Sequence, residues 1–368
     1  MNNIPLNNLV PDYINAFTAY IPSKPDDKLK KLYKCSRLFR LNNNENPLGP
    51  SLAAQEIISN FPPPKASIYP SGDAYHLREK LGEEYNLHPD QFIVGNGANE
   101  VISFVIKAFC EQGDNIITAD KTFAVYEWVA EFSGFQAKLV PLLDYGFDEQ
   151  GMLNQIDKRT KILFLCNPNN PTGSYWNEKK IRHFLDTIDG RQIVVIDEAY
   201  IEYVEKEDFP DCMKLICEYP NVIVFRTFSK MYALAGLRIG YMAGSKEIVD
   251  VVRKTCVVYS INVLAQKTAL VSLGDKEHIK KTREMVKTGK EFVTKKLDKI
   301  GINYINGEGN FLMIKLPISD SLAYRKLMRE GIMIRPMTSF RYPNFIRLTI
   351  SNMDAMEAFT TSLKKILT

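Results

Sequence analysis

The stretch Gln192-Ile193-Val194-Val195-Ile196-Asp197-Glu198-Ala199-Tyr200 decides how the rest of the chain reads. Its apolar run is β-branched and does not alternate, the pattern of a strand buried on both faces. Such a strand lies inside a sheet covered by helices on both sides. It ends in a carboxylate, and open parallel sheets gather their ligands beyond the carboxyl ends of their strands. Working outward, similar runs occur at Phe92-Ile93-Val94, Asn115-Ile116-Ile117-Thr118, Ala137-Lys138-Leu139-Val140, Lys161-Ile162-Leu163-Phe164-Leu165 and Asn221-Val222-Ile223-Val224-Phe225. Segments with helical spacing separate most of them, among them Glu100 to Cys110 and Asn177 to Thr187. Strands alternating with helices from about Asn42 to Ala243 predict an α/β fold, a mostly parallel sheet sandwiched by helices.

The remainder reads differently. Glu247 to Leu273 and Lys276 to Ile300 have the spacing of long helices with lysine-rich outer faces. Strand-like Asn310 to Leu316, Ile332 to Arg335 and Phe345 to Ile350 follow, then a last helix from Met353. That is a smaller α+β unit. At 368 residues the chain is expected to build more than one hydrophobic core. The expected division is an arm over 1–41 that joins the small domain, a large domain over 42–257 and a small domain over 258–368.

Composition excludes several classes. Forty-seven basic residues nearly balance 43 acidic ones, so a nucleic-acid partner is not indicated. The densest basic stretch, Lys28 to Lys34, is interrupted by apolar residues and reads as a solvated face. The six cysteines form no C-x-x-C pair and the four histidines have no ligand spacing, so no metal site is expected. The first residues lack the basic head and apolar core of a signal peptide, and no apolar run approaches the length of a membrane span. A reduced cytoplasmic setting is the simplest expectation.

Chemistry concentrates at the strand ends. Asp197 closes one strand; without a phosphate-binding G-x-x-x-x-G-K-[ST] elsewhere, it is not the magnesium acid of a nucleotide site. The strand at Asn221 leads into Arg226-Thr227-Phe228-Ser229-Lys230. A lysine just past a buried strand sits in a semi-apolar pocket where its pKa falls, which suits a Schiff-base lysine. Leu237-Arg238-Ile239-Gly240 offers a guanidinium suited to a phosphate. Cys166-Asn167-Pro168-Asn169-Asn170-Pro171-Thr172-Gly173 is a loop fixed by proline and glycine, with Asn170 as an amide donor. Gly95-Asn96-Gly97-Ala98-Asn99-Glu100 opens a helix whose backbone N–H groups can surround a phosphate. Taken singly, the plain readings of these features are a structural acid, a surface cation, a turn and a glycine-rich bend.

Taken in order, Gly97-Ala98-Asn99, Tyr126, Asn170, Asp197, Tyr200, Ser229-Lys230, Arg238 and Arg347 form a constrained set that resembles the fold-type I pyridoxal-phosphate aminotransferases over essentially the whole chain. Within that class, Tyr20-Ile21-Pro22-Ser23-Lys24-Pro25, Leu41-Asn42-Asn43-Asn44-Glu45-Asn46-Pro47-Leu48-Gly49-Pro50-Ser51, Tyr69-Pro70 and Gly97-Ala98-Asn99-Glu100 are most similar to the histidinol-phosphate aminotransferases. The resemblance implies pyridoxal 5'-phosphate as cofactor, Lys230 as its covalent holder and proton carrier, and Asp197 as partner of the pyridine nitrogen. It also implies Asn170 and Tyr200 on the phenolic oxygen and Tyr126 stacked on the ring. The phosphate would rest on Ala98, Asn99, Ser229 and Arg238, with Thr227 assisting. Tyr69 would reach the phosphate of a neighbouring subunit, which makes the expected protein a homodimer with shared active sites. Arg347 would take the substrate's anionic group, Arg335 is a second anion candidate, and Tyr20 and Asn46 would border the substrate. The implied reaction is transamination between an amino acid and a 2-oxo acid, here histidinol phosphate and 2-oxoglutarate.

Some positions depart from that pattern. Lys121 stands where a proline usually begins the Thr122-Phe123 loop, Ser351 where a glycine usually follows the Arg347 strand, and Met337 to Asn344 is atypical. The alternatives are transamination of another amino acid, or a lyase, decarboxylase or cyclase on the same scaffold. A non-enzymatic sensor would need a DNA-binding module, and the arm carries no helix-turn-helix pattern.

Overall fold

The computed structural model describes residues 6–19, 22 and 24–367. Its strands are β1 (Phe39–Leu41), β2 (Phe92–Gly95), β3 (Asn115–Ala119), β4 (Gln136–Val140), β5 (Thr160–Cys166), β6 (Ile193–Asp197), β7 (Val222–Thr227), β8 (Gly240–Gly244), β9 (Tyr304–Ile305), β10 (Phe311–Lys315), β11 (Ile332–Pro336) and β12 (Phe345–Thr349).

Seven strands form one sheet in the order β2-β8-β7-β6-β5-β3-β4. From β7 through β4 every neighbouring pair is parallel. The central strands read as unbroken apolar runs because helices cover both faces: Val194, Val195, Ile196, Val222, Ile223 and Val224 are fully buried. Each such side chain contributes roughly 1.5–3 kcal/mol by leaving water, so a single charge there would break the sheet. Register then places the chemistry. Asp197 pairs with Cys166 on one side and Phe225 on the other, so β5 and β6 end level with one another while β7 runs on to Thr227. The loops that leave them carry Asn170, Tyr200 and Lys230 to the same edge.

β8 was not legible in the sequence. Glycines at both its ends weaken the strand signal, yet it runs antiparallel between β2 and β7. Gly240 is needed there for space: a Cβ would lie 3.0 Å from the Ala98 nitrogen and 3.1 Å from the Arg226 oxygen.

The second sheet has the order β1-β11-β12-β10-β9. The arm enters it as β1, parallel to β11. Within it Arg335 and Arg347 stand opposite each other on neighbouring strands. Lys276–Lys299 and Met353–Leu367 are single helices, as their spacing predicts.

The expected helix from Glu247 to Leu273 is instead two helices, Lys246–Arg253 and Val263–Ser272. The break has local causes. Thr255 Oγ1 turns back onto Val252 O and Phe104 O, and Asn262 caps the second helix by accepting from the Ala265 N–H at 2.8 Å. Both helices pack on the seven-stranded side; Val263–Ser272 lies against Leu52–Ser59. A boundary at 257/258 falls between these two helices. Between the two sheets opens a cavity of about 780 Å³.

Candidate active site

The cavity is lined from both sides. Asp197, Tyr200, Asn170, Thr227, Ser229 and Lys230 come from the ends of β5, β6 and β7, Ala98 and Asn99 from the helix Ala98–Phe109, and Arg335 and Arg347 from the other sheet.

Asp197 is the buried acid of the site. Its Oδ2 accepts from the Tyr126 hydroxyl at 2.6 Å and its Oδ1 from the Ala199 N–H at 3.0 Å. Burial nonetheless pushes its carboxyl up to about 6, with those two hydrogen bonds opposing the rise. An acid so placed gains from a cation on its open side, such as a protonated ring nitrogen.

Lys230 Nζ donates to the Asn43 carbonyl at 2.7 Å and makes no ion pair among the described residues. Burial lowers it to about 8, helped by the positive charge of Arg347 and opposed by Glu45. A lysine in that range has a neutral fraction near pH 7, the form that attacks a carbonyl.

An anion cradle lies at the start of the helix Ala98–Phe109. Gly97 caps it with φ +81°, and a Cβ there would clash with the Arg238 guanidinium. Arg238 thus lies against bare backbone beside helix N–H groups that have no intrahelical partner. Its only hydrogen bond among the described residues goes to the Ala235 carbonyl. Ser229 lines the same end. This donor set suits a phosphate group. With Asp197 for a pyridine nitrogen and Lys230 for an aldehyde, the residues present fit pyridoxal phosphate.

At the opposite end Arg347 donates to Asn170 Oδ1 and, at 2.8 Å, to the Asn42 carbonyl, while its buried Nε has no partner. Burial lowers it to about 10, with neighbouring Arg335 adding to the effect. Arg335 makes no hydrogen bond or ion pair among the described residues. Tyr200 accepts from Asn44 at 2.8 Å, and burial raises its hydroxyl to about 12. No group of residues able to hold a metal ion occurs among the described residues.

The family model described as aminotransferase class I and II matches residues 36–360. The chain belongs to this family. Among its relatives, the aminotransferase is 34% identical over 365 residues to a histidinol-phosphate aminotransferase of Anaeromyxobacter sp. (strain Fw109-5), covering 98% of this chain and 99% of the relative. It is 35% identical to one from Caldicellulosiruptor saccharolyticus, with 97% and 99% covered. A crystal structure of the histidinol-phosphate aminotransferase from Clostridium acetobutylicum superposes with a TM-score of 0.81 at 26% identity, over 90% of this chain and 99% of that one. The Sinorhizobium meliloti histidinol-phosphate aminotransferase, solved in complex with pyridoxal-5'-phosphate, has the same fold with a TM-score of 0.87, 21% identity and coverage of 100% and 98%.

Two residue expectations change in the structure of this aminotransferase. Tyr126 does not face the cavity. Its ring stacks on Phe164 at 4.7 Å and its hydroxyl is committed to Asp197, so it supports the acid from behind. Phe123 and Trp128, near it in sequence, line the cavity instead. Asn46 is also not a lining residue. Its amide donates to the Met231 carbonyl and to Thr282 Oγ1, and its oxygen accepts from the Leu48 N–H. It ties the first segment of the site to the long helix Lys276–Lys299.

Tyr69 stands outside the cavity of its own chain, 80% exposed and stacked on Tyr259 at 4.8 Å. Tyr20 lies outside the described residues. Sequence reasoning missed Asn42, Asn43 and Asn44 as individual actors, although they were part of a quoted motif. Two of them act through backbone carbonyls, which no side-chain pattern reveals.

Proposed function

We propose that this chain catalyses pyridoxal-phosphate-dependent transamination of histidinol phosphate, with 2-oxoglutarate as amino acceptor. The observation that carries the reading is one cavity lined by Lys230 and Asp197 and by two arginines, Arg335 and Arg347, neither paired with a carboxylate among the described residues. The histidinol-phosphate aminotransferase names of full-length relatives supply the substrate.

Bound pyridoxal phosphate supplies an aldehyde that takes the amino group and a cationic ring that accepts electrons. The chain's own residues do the rest. Asp197 holds the proton on the ring nitrogen, and Tyr126 orients Asp197. Lys230 Nζ would take and return the proton at the amino-bearing carbon of the substrate. Asn170 and Tyr200, which line the cavity, would bind the phenolic oxygen. Ala98, Asn99, Ser229 and Arg238 hold the phosphate, and Thr227 fixes Ser229 by accepting its N–H at 3.1 Å. Arg347 and Arg335 bind the anionic end of each substrate in turn, so one pocket serves both half-reactions.

The active form we propose is a homodimer in which Tyr69 serves the neighbouring subunit's site. Support comes from the exposed apolar group around it: Ile68, Val257, Val258 and Tyr259 all face outward. A cytoplasmic location accords with free cysteines throughout the described residues and with the absence there of any helix long and apolar enough to cross a membrane. Arg341, the extra cation of the atypical Met337 to Asn344 stretch, does not line the cavity and is paired to Glu127. It therefore gives no reason to favour another acid as substrate.

The test is a single turnover. The purified cofactor-bound protein is mixed with L-histidinol phosphate, or with L-glutamate, and the cofactor spectrum is followed. Conversion to the aminated cofactor by both is the expected result. Conversion by other amino acids only would reject the substrate, and release of carbon dioxide with the spectrum restored would reject transamination.

A further inference from the structure

β11 brings Arg335 to the cavity and then turns sharply at Thr338–Phe340. On its own side the turn is anchored by Asp320, whose carboxylate accepts from the Thr338 N–H and from Thr338 Oγ1, each at 2.7 Å. The next residue reaches the other way. Arg341, with φ +61°, donates to both oxygens of Glu127, at 2.7 and 3.1 Å, and to the Asp120 carbonyl at 2.7 Å. Glu127 belongs to the helix Val125–Phe132 on the seven-stranded side. The fork-on-carboxylate arrangement is the geometrically demanding form of an ion pair. The turn is thus held from both sides of the cavity.

Phe340 sits between these two anchors and forms part of the cavity wall. Its ring centre lies 5.4 Å from the Arg335 guanidinium carbon and 6.0 Å from that of Arg347. Those two cations stand opposite each other in register and repel. An aromatic ring attracts both through its quadrupole without neutralising either. A carboxylate in the same place would consume the charge that the substrate needs.

We propose that Phe340 is a positioning residue that aims Arg335 and Arg347 at the substrate's anionic group, and that the Arg341–Glu127 pair is the clasp that holds Phe340 in place. This rests on the reading that the substrates are anionic, not on which anion is the natural one.

The test uses the cofactor-bound enzyme, with steady-state kinetics on L-histidinol phosphate as amino donor and 2-oxoglutarate as acceptor, and with the L-glutamate half-reaction followed by the cofactor spectrum, whose half-saturating glutamate concentration stands for KM. Phe340→Leu, which keeps apolar bulk but removes the ring, should raise KM about 10-fold with kcat and cofactor retention unchanged. Phe340→Tyr should restore a KM within about twofold of the parent. Arg341→Ala should raise KM about threefold, and the exchange Arg341→Glu with Glu127→Arg should recover most of that loss. A Phe340→Leu enzyme with the parent KM would overturn the proposal, because bulk alone would then suffice. A loss confined to kcat would overturn it as well. Failure of the parent enzyme to turn over histidinol phosphate would reject the substrate assignment alone, since the Phe340 series is still read with glutamate.

Discussion

The two ends of the cavity are prepared in different ways. At the Asp197 end the side chains stand on the seven-stranded sheet with their hydrogen bonds already made: Tyr126 and Ala199 donate to Asp197, the Ser229 N–H to Thr227, and Lys230 to the Asn43 carbonyl. At the other end the five-stranded sheet presents Arg335, whose side chain makes no hydrogen bond or ion pair among the described residues, beside Arg347, which is held by Asn170 and the Asn42 carbonyl. The first end is organised for a resident group that stays through the cycle. The second keeps unspent charge for ligands that come and go. A resident cofactor repays rigid pre-organisation, whereas alternating substrates need an anion site that neither protein carboxylates nor tight internal hydrogen bonds have already filled.

Substitutions at the two ends should therefore fail differently. The largest effect is expected for Lys230→Ala, which should lower kcat by roughly 10²–10⁴-fold and abolish borohydride trapping of the cofactor on the protein. Retained trapping would place the covalent site elsewhere and break the comparison at its first term. Asp197→Asn should lower kcat about 100-fold with little change in KM, because the stabilised charge develops only during the reaction.

The same residue gives a pH test. The Asp197 carboxyl rises from the ordinary 3.8 to about 6 in the fold. Its contribution to folding is fully present below the ordinary value and is lost as pH climbs through about 6. Protein stripped of cofactor should lose thermal stability over that window, and the Asp197→Asn protein should lose less. An identical pH slope for the two proteins would mean that Asp197 titrates normally.

At the other end, Arg347→Ala should raise KM for anionic substrates about 10-fold and leave cofactor binding intact, since hydrogen bonds to charged groups are worth roughly 1.5–3 kcal/mol. Unchanged kinetics would shift the anion site to Arg335 alone. The smallest effect is expected for Tyr69→Phe, a weakening of cofactor affinity of about threefold from one lost hydroxyl. A sharper version mixes Lys230→Ala with a Tyr69→Ala protein. If sites are shared across a dimer, mixed dimers should carry both lesions in one site and leave the other site intact, so the cofactor affinity of the active sites should return to the parent value on mixing. No recovery in a proven dimer would confine each site to a single chain.

Much of the large sheet and of its polar edge was readable in the chain itself. Unbroken β-branched runs occur where both faces are covered, and Asp197, Asn170 and Lys230 stand at or just beyond strand ends, so strand and site carried one signal. Ser245 and Asn262 likewise cap helices by local hydrogen bonds that short-range sequence can encode. What only the tertiary structure decided depends on packing across long separations. Tyr126 turned its hydroxyl to Asp197, 71 residues away, instead of its ring to the cavity. Asn46 is spent on Met231 and Thr282, and the expected helix from Glu247 divides near Thr255, whose hydroxyl reaches the carbonyl of Phe104. Strand β8 exists because two neighbours complete its ladder, while its glycines give no strand preference of their own. Side-chain type and spacing determine which groups can reach a site. Where each one points is set by partners that the linear order does not bring together.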